Sequence, residues 1–206
     1  MTPRFIALEG GEGVGKSTQL RLLDQALRAR GASVVTTREP GGTPGAEAIR
    51  AMVLDPAGAG WGPRAEALLF AAARADHVDR LIRPALARGD WVLTDRYLDS
   101  SRAYQGGGSG LDDADICMLH QIGSGGLLPD RTLLLELDPA QAARRLAERD
   151  RGHSDRIGGR DAAYHARVAA AFRRFADAEP DRFALVDALG TPEAVHARVL
   201  MAVFGP

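Results

Sequence analysis

Lysine is almost missing from this chain. Of its 26 lysine and arginine residues, only Lys16 is lysine. A coding bias toward arginine, alanine and glycine accounts for the scarcity but not for the location of the exception. Asparagine is absent altogether, which excludes an N-glycosylation sequon and the Asn-Lys-x-Asp guanine-reading motif of GTPases. The single cysteine, Cys117, excludes an internal disulfide framework and a cysteine-based zinc site. No apolar run approaches the roughly 20 residues of a membrane helix, and no signal peptide opens the chain. A cytoplasmic location without a membrane partner is therefore the expectation. A net charge of -1 provides no global basic face, so a nucleic acid polymer is not an expected partner.

What is present suits one sizeable α/β domain spanning residues 1–206. Continuous apolar blocks at Arg4–Leu8, Ser33–Thr37, Trp91–Thr94, Thr132–Leu137 and Arg182–Val186 predict five strands covered on both faces. Helical spacing predicts helices over Lys16–Arg30, Pro63–Ala87, Asp112–Ile122, Pro139–Arg149, Ala162–Ala178 and Pro192–Val203. Asp138-Pro139 and Thr191-Pro192 each place a capping residue before a first-turn proline. The alternation predicts a five-stranded, mostly parallel sheet with helices on both faces. Gly106–Gly110 is expected to be a flexible loop. Arg149–Arg160, RDRGHSDRIGGR, reads by itself as a solvated turn or as a basic segment with a functional role.

The lone lysine sits in GGEGVGKST, where Gly10-x-x-x-x-Gly15-Lys16-Ser17 follows one predicted strand and opens a helix. That context makes it a phosphate-binding P-loop. Glycines let successive backbone N–H groups turn toward phosphate oxygens, and the helix adds its positive end. The cradle comprises Gly10, Gly11, Glu12, Gly13, Val14, Gly15, Lys16, Ser17 and Thr18. Lys16 suits the β- and γ-phosphates as a compact charge, and Ser17 suits a magnesium ion. Nucleoside triphosphate binding follows. The missing guanine motif disfavours GTPases, and the short chain disfavours large ATPases.

Two further segments begin at strand ends, where α/β sheets bind ligands: Arg38-Glu-Pro-Gly-Gly-Thr43 and Asp95-Arg96-Tyr97. Asp95 suits a magnesium shell and Arg96 a bidentate phosphate contact, although such a pair also reads as a structural ion pair. Phe70 and Arg74 share a helix face. They form either a core ring beneath a surface cation or a plate for a base with a cation for its phosphate.

FIALEGGEGVGKSTQ, TREPGGT, LLFAAARADH, LTDRYLDSSRAYQ and PDRTLLLELDP, in that order, resemble the thymidylate kinases, and DRYLDSSRAYQ is the most specific block. The resemblance covers Phe5 to about Arg173. It implies the P-loop kinase fold with a short mobile lid at about 149–160, transfer of the γ-phosphoryl of Mg-ATP to dTMP giving dTDP and ADP for dTTP synthesis, and a homodimer. By the same resemblance Phe70 stacks on thymine, and Arg74 and Arg96 grip the monophosphate. Arg38 and Glu39 line the sugar and phosphate side. Ser101 and Gln105 lie near the base edge, and Tyr104 lies against the sugar, where it disfavours a 2′-hydroxyl. Lys16, Asp95 and Arg96 become catalytic, with Ser17 and Asp95 at the metal. Some family members carry an arginine inside the P-loop and others supply it from the lid. Gly13 occupies that position here, so Arg149, Arg151, Arg156 and Arg160 become candidates, Arg151 and Arg156 matching best. Asp76 stands where many relatives have glutamine, which implies different hydrogen bonding near the thymine edge. No adenine-reading motif is evident, so the preference for ATP comes from the resemblance alone. A kinase of another nucleoside monophosphate or of a deoxynucleoside is the alternative, and a non-catalytic nucleotide switch a more distant one.

Overall fold

The structure, a computed structural model, describes residues 4–150 and 155–205. Strands β1 (Phe5–Glu9), β2 (Val34–Arg38), β3 (Trp91–Asp95), β4 (Arg131–Glu136) and β5 (Phe183–Asp187) form a parallel sheet ordered β2-β3-β1-β4-β5. Along β1, Ile6 and Leu8 enter one core cluster while Phe5 and Ala7 enter another. Both faces are thus covered, which is why the strands read as apolar blocks rather than alternating ones. Leu23 and Leu27 of α1 (Lys16–Ala29) and Val195 and Val199 of α9 (Pro192–Phe204) fill the first cluster. A third cluster joins Phe70, Tyr104, Tyr164 and Phe172 beside the sheet.

The helix expected over Pro63–Ala87 is divided into α3 (Pro63–His77), a π-helical turn (Val78–Ile82) and α4 (Arg83–Ala87). Pro84 has no N–H and crowds the preceding turn, and the Arg83 N–H reaches back five residues to the Val78 carbonyl. Helix α2 (Pro44–Leu54) escaped the spacing argument, although Thr43 caps it by accepting the Ala46 N–H and Pro44 occupies its first turn.

Gly106–Gly110 is not simply a flexible loop. Helix α5 (Leu98–Ser101) runs directly into a π-helical segment, Arg102–Gly108, against α8 (Ala162–Ala178). A Cβ at Gly107 would lie 2.5 Å from the Ala171 Cβ, and one at Gly108 would lie 2.5 Å from the Tyr164 ring. The glycines are there for close packing. The remaining helices are α6 (Asp113–Ser124) and α7 (Pro139–Asp150). Asp138 and Thr191 cap their helices as expected, accepting the Ala140 and Ala194 N–H groups.

A buried ionic knot anchors the segment from Leu98 to Gly108. Asp99, fully buried, accepts from Arg182 Nη1 at 2.6 Å, Arg182 Nη2 at 2.8 Å and Arg102 Nη1 at 3.1 Å. Arg102 also reaches Asp113 and Glu179, so α5, α6 and the end of α8 are tied at one point. Among the described residues no helix is long and apolar enough to cross a membrane.

Candidate active site

The site opens at the C-terminal ends of β1, the central strand of the sheet, and its neighbour β3, where an open α/β sheet leaves a crevice. After Glu9 the chain turns through the glycine loop into α1. Lys16 is buried beneath that loop, its Nζ donating to the Gly10 carbonyl at 3.1 Å and the Gly11 carbonyl at 2.6 Å. Burial first, then the Arg96 guanidinium, lowers its pKa to about 8. Ser17 Oγ donates to Asp95 Oδ2 at 2.7 Å. Gly13 has φ +73°, and a Cβ there would collide with the Ala142 carbonyl. A side chain at position 13 is therefore excluded unless α7 moves.

Glu9 lies under this loop with no exposure. Its Oε1 accepts the Tyr97 and Ser100 N–H groups at 2.8 and 3.0 Å, and its Oε2 accepts the Ser100 hydroxyl at 2.6 Å. Burial, followed by the nearby Asp99 carboxylate, pushes its pKa up to about 7. A cleft of about 550 Å³ extends from Lys16, Ser17 and Thr18 past Asp95 to Arg145, Gly190 and Val195.

A second, narrower cavity is walled by Phe70, Arg74, Ser101, Tyr104 and Gln105, with Glu39 and Pro40 at one side. Arg74 is almost fully enclosed. Its Nε donates to Glu39 Oε2 at 2.7 Å, and its Nη2 donates to Ser101 Oγ at 2.9 Å and the Tyr97 carbonyl at 3.2 Å. The other Glu39 oxygen lies 3.0 Å from His77 Nδ1, whose opposite nitrogen meets Thr37 Oγ1 at 2.7 Å. Tyr104 packs edge-on to Phe172 at a centroid distance of 6.2 Å and carries the Arg96 guanidinium 4.9 Å from its ring.

The two cavities meet at Glu12, Arg50, Arg96 and Asp155, which line both. Arg96 holds φ +70°, a left-handed conformation uncommon for a residue with a side chain. Its N–H is fixed to the Leu8 carbonyl and its carbonyl to Thr94 Oγ1, while Nη1 reaches the Gly10 carbonyl at 3.1 Å. The backbone of Arg96 is thus tied to β1 and β3, and its guanidinium faces the junction.

Several residues named from the sequence stand elsewhere. Arg38 pairs with Glu47 at 3.1 Å and lines neither cavity. Arg156 donates to the Asp55 carbonyl at 3.1 Å and also bonds the Gly58 carbonyl, beyond the end of α2. Arg160 bonds Glu66 and Ser109. Arg151 and the Arg149 side chain lie outside the described residues. Asp76, expected near the thymine edge, accepts from Thr43 Oγ1 and Arg80 Nε and does not line the Phe70 cavity. Arg50, Glu9, Glu66, Asp155 and Arg145 went unnoticed in the sequence. Arg50 was hidden with α2, although the Thr43-Pro44 start signal was available to reveal it.

A parallel 2-3-1-4-5 sheet, a glycine loop over a buried lysine and a second cavity sharing one arginine-bearing wall define a P-loop kinase. The family model described as thymidylate kinase matches residues 8–199. The thymidylate kinase of Rhizorhabdus wittichii is 60% identical over 203 residues, covering 98% of each chain. That of Clavibacter sepedonicus is 53% identical over 202 residues, covering 98% of this chain and 94% of its own. The crystal structure of thymidylate kinase from Ehrlichia chaffeensis superposes with a TM-score of 0.78 at 29% identity, over 97% of both chains. The chain belongs to the thymidylate kinase family, and it is a kinase of nucleotide biosynthesis.

Proposed function

We propose that ATP occupies the P-loop cleft and dTMP the Phe70 cavity, and that the γ-phosphoryl group passes between them at the junction of Glu12, Arg50, Arg96 and Asp155. The observation that carries this reading is the shared wall. Two phosphate-bearing ligands in adjoining cavities would bring their phosphates together where Arg50 and Arg96 stand. The acceptor is a phosphate oxygen that is already anionic, so no strong general base is required. The bond from the γ-phosphorus to the β,γ-bridging oxygen breaks, and a new one forms to an oxygen of dTMP, leaving ADP and dTDP. The work of the protein is to hold two repelling anions in line and neutralise them. Lys16, Arg96 and Arg50 serve that purpose.

The hydroxyl of Ser17 and the carboxylate of Asp95 form an all-oxygen donor pair of the kind Mg²⁺ takes alongside phosphate and water. When bound, the ion supplies charge neutralisation to the β- and γ-phosphates. Phe70 is assigned to the thymine face, Ser101 and Gln105 to its edge, and Tyr104 to the sugar. Arg74, fixed by Glu39, holds the acceptor from the inner end. Glu39 bounds the sugar and phosphate side, and Arg38, which lines neither cavity, reaches that side only by leaving Glu47. The P-loop residues Gly10 to Thr18 cradle the triphosphate. Arg151 or Arg156 is assigned to closing over the phosphates. This requires Arg156 to leave the Asp55 carbonyl.

A homodimer through α3 and α6 is part of the proposal. Leu68, Met118 and Ile122 are exposed on these neighbouring helices, and light scattering at several concentrations tests it. The site reading is tested by a crystal structure with dTMP and a non-hydrolysable ATP analogue. The expected result has thymine on Phe70 and Lys16 against the β- and γ-phosphates. A dTMP molecule bound outside the Phe70 cavity overturns it.

A further inference from the structure

Glu66, Phe70 and Arg74 stand four residues apart on one face of α3. The wall that carries the aromatic plate therefore also carries a second carboxylate, and Glu66 and Gln105 are each only 1% exposed. Gln105 Nε2 donates to Glu66 Oε1 at 2.9 Å, and Arg160 Nη2 donates to Glu66 Oε2 at 2.5 Å. An ionised carboxylate only accepts hydrogen bonds, so it receives the Gln105 amide through the NH₂ group alone. The carbonyl Oε1 is then the group left for the cavity that Gln105 lines with Phe70 and Tyr104.

From this chain of contacts we propose that Glu66, tied by Arg160, is a positioning residue for base selectivity. It locks the Gln105 amide with its carbonyl toward the base. An acceptor there matches the N3–H of thymine or uracil and opposes cytosine, whose N3 is itself an acceptor. This rests on the reading of the Phe70 cavity as the dTMP site.

Glu66→Gln turns the lock over. Arg160 has only donors and takes the new carbonyl, which points the new NH₂ at Gln105. Gln105 must then offer its carbonyl to position 66 and its own NH₂ to the base. Steady-state kinetics with dTMP, dUMP and dCMP read the change. The expected result is a fall of about 10- to 100-fold in the dTMP:dCMP ratio of kcat/KM, the cost of one buried hydrogen bond lost or opposed. The dTMP:dUMP ratio is expected to stay constant, because those two bases share the N3–H. In the double variant Glu66→Gln/Arg160→Met, the residue 66 amide is free to turn back, and most of the dTMP:dCMP ratio is expected to return. If Glu66→Gln does not fold, Glu66→Met tests the same point. It leaves the Gln105 amide unlocked, and it too lowers dTMP:dCMP without moving dTMP:dUMP. Equal losses for all three substrates, or an unchanged dTMP:dCMP ratio in an enzyme active on dTMP, overturn the lock and leave the site reading intact. A parent enzyme inactive on dTMP overturns both.

Discussion

Glu9→Gln is expected to make the protein more stable at pH 8 than the parent. The carboxylate of Glu9 is fully buried, and its pKa rises from 4.5 to about 7, chiefly through burial and then through Asp99. The folded state therefore binds this proton more tightly than the unfolded chain does. The stabilising contribution of the group is complete below about pH 4.5 and is lost as the pH rises through 7. The gap corresponds to about 3 kcal/mol. An amide escapes that cost and can keep the contacts. Its oxygen still accepts the Tyr97 and Ser100 N–H groups, and its NH₂ donates to a Ser100 hydroxyl turned to accept. Thermal unfolding without nucleotide is the assay. The expected gain at pH 8 is about 3 kcal/mol, or about 6–12 °C in Tm for a chain of this size. At pH 5 the gain shrinks to about 1 kcal/mol, because the parent is then protonated at this site. A variant less stable than the parent at pH 8, or a difference that does not change with pH, shows that Glu9 is not destabilised by its burial.

Arg96→Ala and Arg96→Gly are both expected to lower turnover by more than about 100-fold in an ADP-release assay. The glycine variant should be about 1 kcal/mol more stable in urea unfolding than the alanine one, because glycine relieves the left-handed φ. Lys16→Ala should lose turnover on a similar scale with little loss of Tm, since burying that ammonium is itself unfavourable. Asp99→Ala strips Arg182 and Arg102 of their central acceptor. It is expected to cost about 3–5 kcal/mol in urea unfolding, with an undiminished Cm as the contrary outcome. Gly108→Ala drives a methyl group into the Tyr164 ring. A loss of about 1–3 kcal/mol and a raised KM for dTMP are expected, the latter because Tyr104 and Gln105 share its segment.

The sheet and the glycine loop were legible because both rest on local patterns, continuous apolar blocks and a spacing that only a phosphate cradle needs. The strand ends were less so. β1, β2, β3 and β5 each run one residue past the apolar block, to Glu9, Arg38, Asp95 and Asp187. Charged residues end the hydrophobic signal at the crevice, and Glu9 was missed there altogether. Arg50 was lost with α2, whose Gly-Ala-Glu-Ala start carries little apolar spacing. The run after Gln105 reads as a loop by composition, but its glycines answer to Ala171 and Tyr164, more than fifty residues away. The lock at Glu66 depends on Gln105 and Arg160 arriving from two other segments. Such partners have no sequence spacing to announce them. The family resemblance named Gln105 and could not say what holds it.

The reaction proposed for the two adjoining cavities moves the γ-phosphoryl group of ATP onto dTMP. Incubating the enzyme with dTMP, Mg²⁺ and ATP labelled in its γ-phosphoryl group, then separating the products, tests it most directly. The label is expected in the β-phosphate of dTDP, with one ADP formed per dTDP. Label released only as inorganic phosphate, or ADP formation independent of dTMP, contradicts it.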